Sequence, residues 1–255
     1  MFEELVEACQ FLLHNYPEAQ DVKLYLDNRI NEQTQRKFQF GYFPDNYHLP
    51  VLASLIGEDA LTRDKILFIK NTEDTQYPRT VKYSHFENQP LIMPYKDPYG
   101  NVVGLVGRSI LSETEIKKHK VAKYKNTAES KSFKKGHLLF GLYENKKSIM
   151  ENNLVYVVEG QFDVIKATER GMDNIVCLGN ANMTPYQFSV ISRYTDNVIL
   201  LLDNDEAGER GRQRIVEKFG RFANIQNFYL PEGYKDIDEY LSKNDLSSLS
   251  FVIKA

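Results

Sequence analysis

The sequence predicts an α/β protein in which a parallel-sheet domain follows a mixed α+β subdomain, with the boundary near Glu151. Three observations carry that expectation. After residue 151, apolar runs alternate with amphipathic segments, strand then helix, four times over. Parallel strands need crossover connections, so this alternation builds a parallel sheet covered by helices. Between residues 65 and 110 the texture is β-rich, with the turn sequence DPYGN between two extended runs. The first 40 residues instead repeat their apolar side chains at helical spacing.

In chain order, MFEELVEACQFLLHN places Phe2, Leu5, Val6, Cys9, Leu12 and Leu13 on one helical face. Pro17 opens a second segment around Val22, Leu24, Tyr25 and Leu26, and Asn31 is placed to cap a short third helix, NEQTQRKF. FGYFPD is extended, and HLPVLASLIG is a short helix closed by Gly57. KILFI, LIMPYKD and NVVGLVGRSI read as strands. In the second domain LVYVV is a strand, QFDVIKATER a helix ended by Gly171, and NIVCL a strand. Thr184 and Pro185 take the N-cap and first position of TPYQFSVISRY. NVILLL is a strand buried on both faces, EAGERGRQRIVEKFG a helix, NIQNFYL a strand and DIDEYLSK a closing helix.

With 255 residues, 42% apolar and 26% charged, the chain can build one large domain or two modest ones. No run approaches the roughly 18 apolar residues of a membrane span. The acidic start, MFEELVEACQ, is unlike a signal peptide. Cys9 and Cys177 are too few for a cysteine-built zinc site and suit a cytosolic, reducing setting. The net charge of −3 conceals a segregation: residues 1–107 carry 10 basic and 15 acidic side chains, and residues 151–255 carry 11 and 16. Residues 108–147 carry 11 basic against 4 acidic. A basic stripe between acidic regions is expected where one surface holds a polyanion, although a solvated lysine-rich loop has the same composition.

Three acidic clusters stand where strands run out. Glu159 and Asp163 follow LVYVV, Asp203 and Asp205 follow NVILLL, and Asp236 and Asp238 follow the strand ending at Leu230. Ligands of open α/β sheets bind outside the carboxyl ends of the strands, so these six side chains would face one small volume. Two carboxylates about 4 Å apart repel by roughly 4 kcal/mol at an effective dielectric of about 20. Mg²⁺ or Mn²⁺, hard ions that take oxygen ligands, would offset that repulsion. Structural explanations compete. Asp163 in a first helical turn complements the helix dipole, and in LLDNDEAG one aspartate can cap the helix while Gly208 permits a close approach. They leave Glu159 unaccounted for.

EG-x-x-D in VEGQFD and D-x-D-x-AG in LDNDEAG resemble the two signature blocks of the Toprim domain, shared by bacterial-type primases, topoisomerases and small nucleases. LIMPYKDPYGNVVGLVGRS and KYKNTAESKSFKKGHLLFGLYE are similar to segments of DnaG-type primases, and YLDNRINEQTQRKFQFGYFPD resembles the entry segment of that family. The likeness runs from Tyr25 to Leu241. It implies a Toprim parallel-sheet domain preceded by a mixed α+β primase subdomain. By residue, it implies Glu159, Asp203 and Asp205 as catalytic carboxylates, with Asp163, Asp236 and Asp238 as further metal ligands. It also implies Arg108, Lys123, Tyr124, Asn126, Lys135 and, more loosely, Arg29 as contacts to nucleotide or DNA. Tyr124 and Phe133 could stack on bases, with packing the stronger expectation for Phe133. His119 and His137 are expected to be solvated.

The departures are specific. Asn88 and Gln89 stand where the family usually has two arginines, Asn204 replaces a glycine between the two aspartates, and residues 70–85 look like an insertion. The family's zinc-binding and helicase-binding modules have no counterpart here, so the sequence is either a piece of a longer protein or a compact subunit, of viral origin for instance, whose partners supply them. The resemblance therefore implies a Mg²⁺- or Mn²⁺-dependent DNA primase core without a zinc site. It would make RNA primers from ribonucleoside triphosphates on single-stranded DNA by two-metal nucleotidyl transfer, beside a replicative helicase and a zinc module in trans and away from any membrane. The rival readings are a Toprim-type nuclease and a non-catalytic single-stranded-DNA-binding factor.

Overall fold

The computed structural model describes residues 2–71, 80–130, 133–250 and 252–253. It divides into two compact units, one of Met1–Asn28, Gln39–Tyr95 and Asn101–Phe133, the other of Arg29–Phe38, Lys96–Gly100 and Lys134–Ala255.

The first unit opens with helix α1 (Phe2–Asn15), which buries Leu5, Val6, Cys9, Leu12 and Leu13 as the spacing predicts. A 3₁₀ turn at Pro17–Ala19 leads into α2 (Gln20–Asp27). The next helix, α3 (Glu32–Lys37), belongs to the other unit and is capped by Asn31, whose side chain accepts the Thr34 N–H at 2.9 Å. Strand β1 (Gly41–Tyr42) precedes α4 (Leu49–Ile56) and α5 (Glu58–Arg63). Helix α5 escaped the sequence reading because EDALTR has too few apolar side chains to show a period.

Strands β2 (Leu67–Asn71) and β3 (Thr80–Ser84) pair antiparallel, with Leu67 opposite Ser84. The segment expected to be an insertion, residues 70–85, takes in the end of β2 and all of β3, and its residues 72–79 fall outside the described residues. Strands β4 (Leu91–Lys96) and β5 (Val102–Arg108) flank the expected turn, in which Gly100 N–H donates to Asp97 O at 3.1 Å. Helix α6 (Glu113–His119) has a reciprocal cap between Ser112 and Glu115, and β6 (Tyr124–Asn126) follows. The sheet order is β1-β4-β5-β6, with β1–β4 and β5–β6 antiparallel.

The second unit holds α7 (Leu142–Asn152), β7 (Val155–Val158), α8 (Gln161–Glu169), β8 (Ile175–Cys177), α9 (Pro185–Ile191) and β9 (Asn197–Leu200). Helix α10 (Glu206–Phe219), β10 (Asn224–Tyr229), α11 (Ile237–Lys243) and β11 (Val252–Ile253) complete it. The longest continuous run of this unit starts at Lys134, so it takes in α7 as well as the segment after Glu151. The cause is packing: Leu139, Leu142 and Ile149 join Val155, Val157 and Val176 in one core, and Phe140 exchanges backbone hydrogen bonds with Cys177 at 3.0 and 3.1 Å.

The sheet order is β11-β10-β9-β7-β8, parallel from β10 to β8, with β11 antiparallel to β10. From β7 the chain crosses to β8 on one side and then returns to β9 on the other. The switch in direction therefore lies between the carboxyl ends of β7 and β9, where open sheets of this kind bind ligands. No helix among the described residues is long and apolar enough to cross a membrane.

Candidate active site

Glu159 leaves the end of β7 and Asp203 follows the end of β9, so the sheet itself brings them together. The Asp203 N–H donates to Glu159 Oε1 at 3.2 Å across the switch point. Two glycines let the chain turn here. A methyl at Gly160 would stand 2.8 Å from Asp163 Oδ2, and one at Gly208 would run into the Asp203 carbonyl oxygen. Asp163, in the first turn of α8, instead folds back so that Oδ2 accepts the Gly160 N–H at 2.9 Å, while Oδ1 accepts the Asp238 N–H at 3.2 Å.

The two aspartates of the DND loop divide their work. Asp205 is the N-cap of α10, its Oδ1 accepting from Ala207 and Gly208 N–H at 2.9 and 3.0 Å. Asp203 is turned to the Lys235 ammonium, with Nζ 3.0 Å from Asp203 Oδ2 and 3.8 Å from Asp205 Oδ2. Asp236 caps α11 by accepting the Glu239 N–H at 2.8 Å. Asp238 takes Arg29 at 2.6 Å, and that guanidinium lies over the Phe162 ring.

Electrostatics ranks these carboxyls. Burial, then the charges of Asp203 and Asp205, push Glu159 up to about 7. Asp163 is raised well above the usual carboxylate range by burial and by Asp236, Asp203 and Asp238. Asp203 is raised by burial although Lys235 opposes the shift. Asp205 is held low by the Gly208 amide first. These carboxyls raise one another's proton affinity without forming a finished coordination shell among the described residues. Among the described residues no group of three or more His, Cys, Asp or Glu side chains is gathered to hold a metal ion. The reason is local: helix caps, a capping loop, Lys235 and Arg29 each hold carboxylates from their own direction.

The basic positions fall in both units. In the first unit, Arg108 is buried, its guanidinium hydrogen-bonded to the Tyr124 hydroxyl and set over the Tyr124 and Tyr25 rings. Lys123 pairs with Glu113 at 2.5 Å. The Asn126 backbone oxygen is 2.7 Å from the His85 ring nitrogen, and its Oδ1 is buried without a hydrogen-bond partner. Phe133 is fully buried against Tyr95, so it packs rather than presenting a face to a base. Gln89 is buried too, donating to Ala122 O at 2.7 Å. In the second unit, Lys135 donates to Gly179 O at 2.9 Å, and the exposed His137 ring stacks on Tyr186.

Two positions that hold the DND loop escaped the sequence reading. Arg212 is 1% exposed and donates to the carbonyls of Leu202 and Asp203, pinning the DND loop from behind. Its place beside Gly208, Gly211 and Ile215 on one helical face was the available signal. Lys235 is the single basic side chain between Arg221 and Lys243, flanked by two acidic clusters.

A parallel sheet with carboxylates at its switch point, following a mixed α+β segment, defines the class to which the chain conforms. The family described as DNA primase catalytic core, N-terminal domain, matches residues 10–146, more than half of the chain, and the Toprim-like family matches residues 156–241. The chain belongs to the DNA primase catalytic-core family. The DNA primase of Aquifex aeolicus is 30% identical over 245 residues, covering 95% of this chain and 46% of that protein. The crystal structure of the zinc-binding and RNA polymerase domains of the Aquifex aeolicus primase is similar with a TM-score of 0.76 and 30% identity, covering 98% of this chain and 60% of that one. The structure of the DnaG primase catalytic domain bound to single-stranded DNA gives 0.77 and 25% identity, covering 96% and 79%. The chain spans less than half the length of the curated relatives it matches first.

Proposed function

We propose that this chain is a primase catalytic core, joining ribonucleoside triphosphates into a short RNA primer on single-stranded DNA. The observation that carries the proposal is the junction of Glu159 and Asp203 at the sheet's switch point, joined there by a backbone hydrogen bond with Asp205 on the same loop. The donor set suits a hard divalent ion, since it offers only oxygens whose repulsion a cation relieves, and an ammonium already stands where that charge is needed.

Asp203 and Asp205 would hold Mg²⁺ or Mn²⁺, joined by Glu159 once its proton is released. When bound, the metal would align the triphosphate with the primer 3′-hydroxyl and offset charge on the phosphoryl oxygens. Asp163, Asp236 and Asp238 add negative charge to the same edge while their oxygens fix Gly160, α11 and Arg29 in place. Arg108, Lys123 and Lys135 would neutralise phosphates, Tyr124 and Asn126 would approach bases, and Arg29 would act through Asp238. The single-stranded DNA held by a related catalytic domain supports the template assignment. A zinc-binding module and a replicative helicase would complete the machinery, the former being present in the related Aquifex structure.

The test is incubation of the chain with a single-stranded template, labelled ribonucleotides and Mg²⁺ or Mn²⁺, with a zinc-binding module added in a parallel reaction. Template-dependent oligoribonucleotides are expected. Shortened DNA without ribonucleotide incorporation would place the chain among the nucleases, and a mobility shift alone would make it a binding factor.

A further inference from the structure

Lys235 is the ammonium paired with both DND carboxylates, and its position is built rather than incidental. Asn204, between the two aspartates, clamps the segment that carries it: the Asn204 N–H donates to Lys235 O at 2.7 Å, and Nδ2 donates to the carbonyls of Leu230 and Tyr234 at 3.1 Å each. On the other side, the Lys235 N–H donates to Glu239 Oε2 at 3.1 Å. With the backbone fixed at both ends, the ammonium falls between Asp203 Oδ2 and Asp205 Oδ2. Glycine in place of Asn204 would remove the side-chain half of that clamp.

The side chain has somewhere else to go. Lys235 lines a solvent-open cavity of about 940 Å³ together with Asn204, Asp205, Arg212, Tyr229 and Tyr234. That volume lies within the usual range for small-molecule sites of about 300–1,000 Å³. The Lys235 side chain is 58% exposed, so rotation toward the cavity uncovers no apolar core.

We infer that Lys235 is a positioning residue of this site: its ammonium holds a cation's place between Asp203 and Asp205, yields that place to a divalent ion, and then turns to the phosphates of the incoming nucleotide in the adjoining cavity. The inference rests on the primase reading for its second half. Its first half concerns only a cation and two carboxylates. Two positive charges cannot share one pair of oxygens without repulsion, so Lys235 lowers metal affinity in the resting protein. Once displaced, the same charge attracts a triphosphate.

Isothermal titration of Mn²⁺ into the protein without nucleotide or DNA tests the first half, with Lys235→Gln beside the parent at a pH where lysine is charged. A charge-assisted hydrogen bond of this kind contributes on the order of one factor of ten, so the variant is expected to bind Mn²⁺ about tenfold more tightly. Titration of GTP into the Mn²⁺-loaded proteins tests the second half, and the variant is expected to bind GTP about tenfold more weakly. Opposite shifts distinguish this role from a merely structural one, which would weaken both. Mn²⁺ affinity within twofold of the parent, or weaker, overturns the inference, as does unchanged GTP affinity. Melting curves check that Lys235→Gln is folded. If it is not, Asn204→Gly, which loosens the clamp but keeps the charge, is expected to tighten Mn²⁺ binding a few-fold, and no change there overturns the inference. Tighter Mn²⁺ binding in a chain that makes no primers would leave the cation role standing while the primase reading falls. Primer synthesis with unaltered Mn²⁺ affinity would do the reverse.

Discussion

The acidic edge of the parallel sheet and the basic residues of the antiparallel unit are both rich in charge, but the two regions hold it differently. Glu159, Asp163 and Asp203 are partly or wholly covered and raise one another's proton affinity. Their ionised forms are strained by the fold, and a cation relieves that strain. Lys123 instead meets Glu113 at the surface, and Arg108 meets Tyr124 and Tyr25. Those charges are answered by neighbours within their own unit. The lesson is that substitutions at the acidic edge should alter chemistry, metal response and pH behaviour together, whereas substitutions in the basic stretch should alter affinity alone.

The largest expected effect breaks the comparison at its centre. Asp203→Asn keeps the shape of the DND loop and removes the charge that sits against Glu159. Primer synthesis should fall by roughly a thousandfold, the order seen when a group stabilising transition-state charge is lost. In the parent, a hundredfold excess of Mn²⁺ over its dissociation constant should stabilise by about 2.7 kcal/mol, or roughly 5–10 °C for a chain of this size. The variant should lose most of that rise while melting no earlier without metal. A full Mn²⁺ response in Asp203→Asn would remove this residue from the metal site.

The second effect is on pH dependence. Glu159 has its folded-state affinity for a proton raised from 4.5 to about 7. Between those values the unfolded chain is ionised at this position while the folded chain keeps the proton, so the folded state binds more protons and stability falls as pH rises. Asp163 and Asp203 are displaced in the same sense. Asp205, held low by helix amides, works oppositely and only below its ordinary value of 3.8. The chelator-treated protein should therefore melt lower at pH 7 than at pH 5, Glu159→Gln should flatten the slope, and millimolar Mg²⁺ should restore stability at the upper end. A flat parent profile would show that the carboxyl is solvated.

These side chains were legible in the sequence to unequal depth. The βαβ alternation gave the parallel sheet, and strand ends gave Glu159 and Asp203, because a strand's last residue fixes where its successor points. Whether Asp203 or Asp205 would cap α10 was open, since either residue at that spacing can reach the same amides. Arg212 was hidden because a buried arginine on an amphipathic helix reads as one of the charges of EAGERGRQR. Lys235 was hidden because its place beside Asp203 depends on a loop clamped by Asn204, a contact across 31 residues that has no periodic signature. The packing of α7 was hidden for a similar reason: the helix is amphipathic, but what it packs against is a tertiary matter.

The smallest effect sharpens the contrast from the basic side. Lys123 and Glu113 are 43% and 64% exposed, and pairs so open contribute about 0–1 kcal/mol. Lys123→Ala should therefore leave melting, Mn²⁺ response and pH profile as in the parent. If Lys123 meets a phosphate, its removal releases one fewer counterion when single-stranded DNA binds. The slope of log affinity against log salt should then become shallower by about 0.7, with affinity lowered to a similar degree on different sequences. Fluorescence anisotropy of labelled oligonucleotides between low and moderate salt measures that slope. An unchanged slope would return Lys123 to its partnership with Glu113 and leave the phosphate contacts to Arg108 and Lys135. A changed Mn²⁺ response would contradict the expectation that substitutions in the basic stretch alter affinity alone.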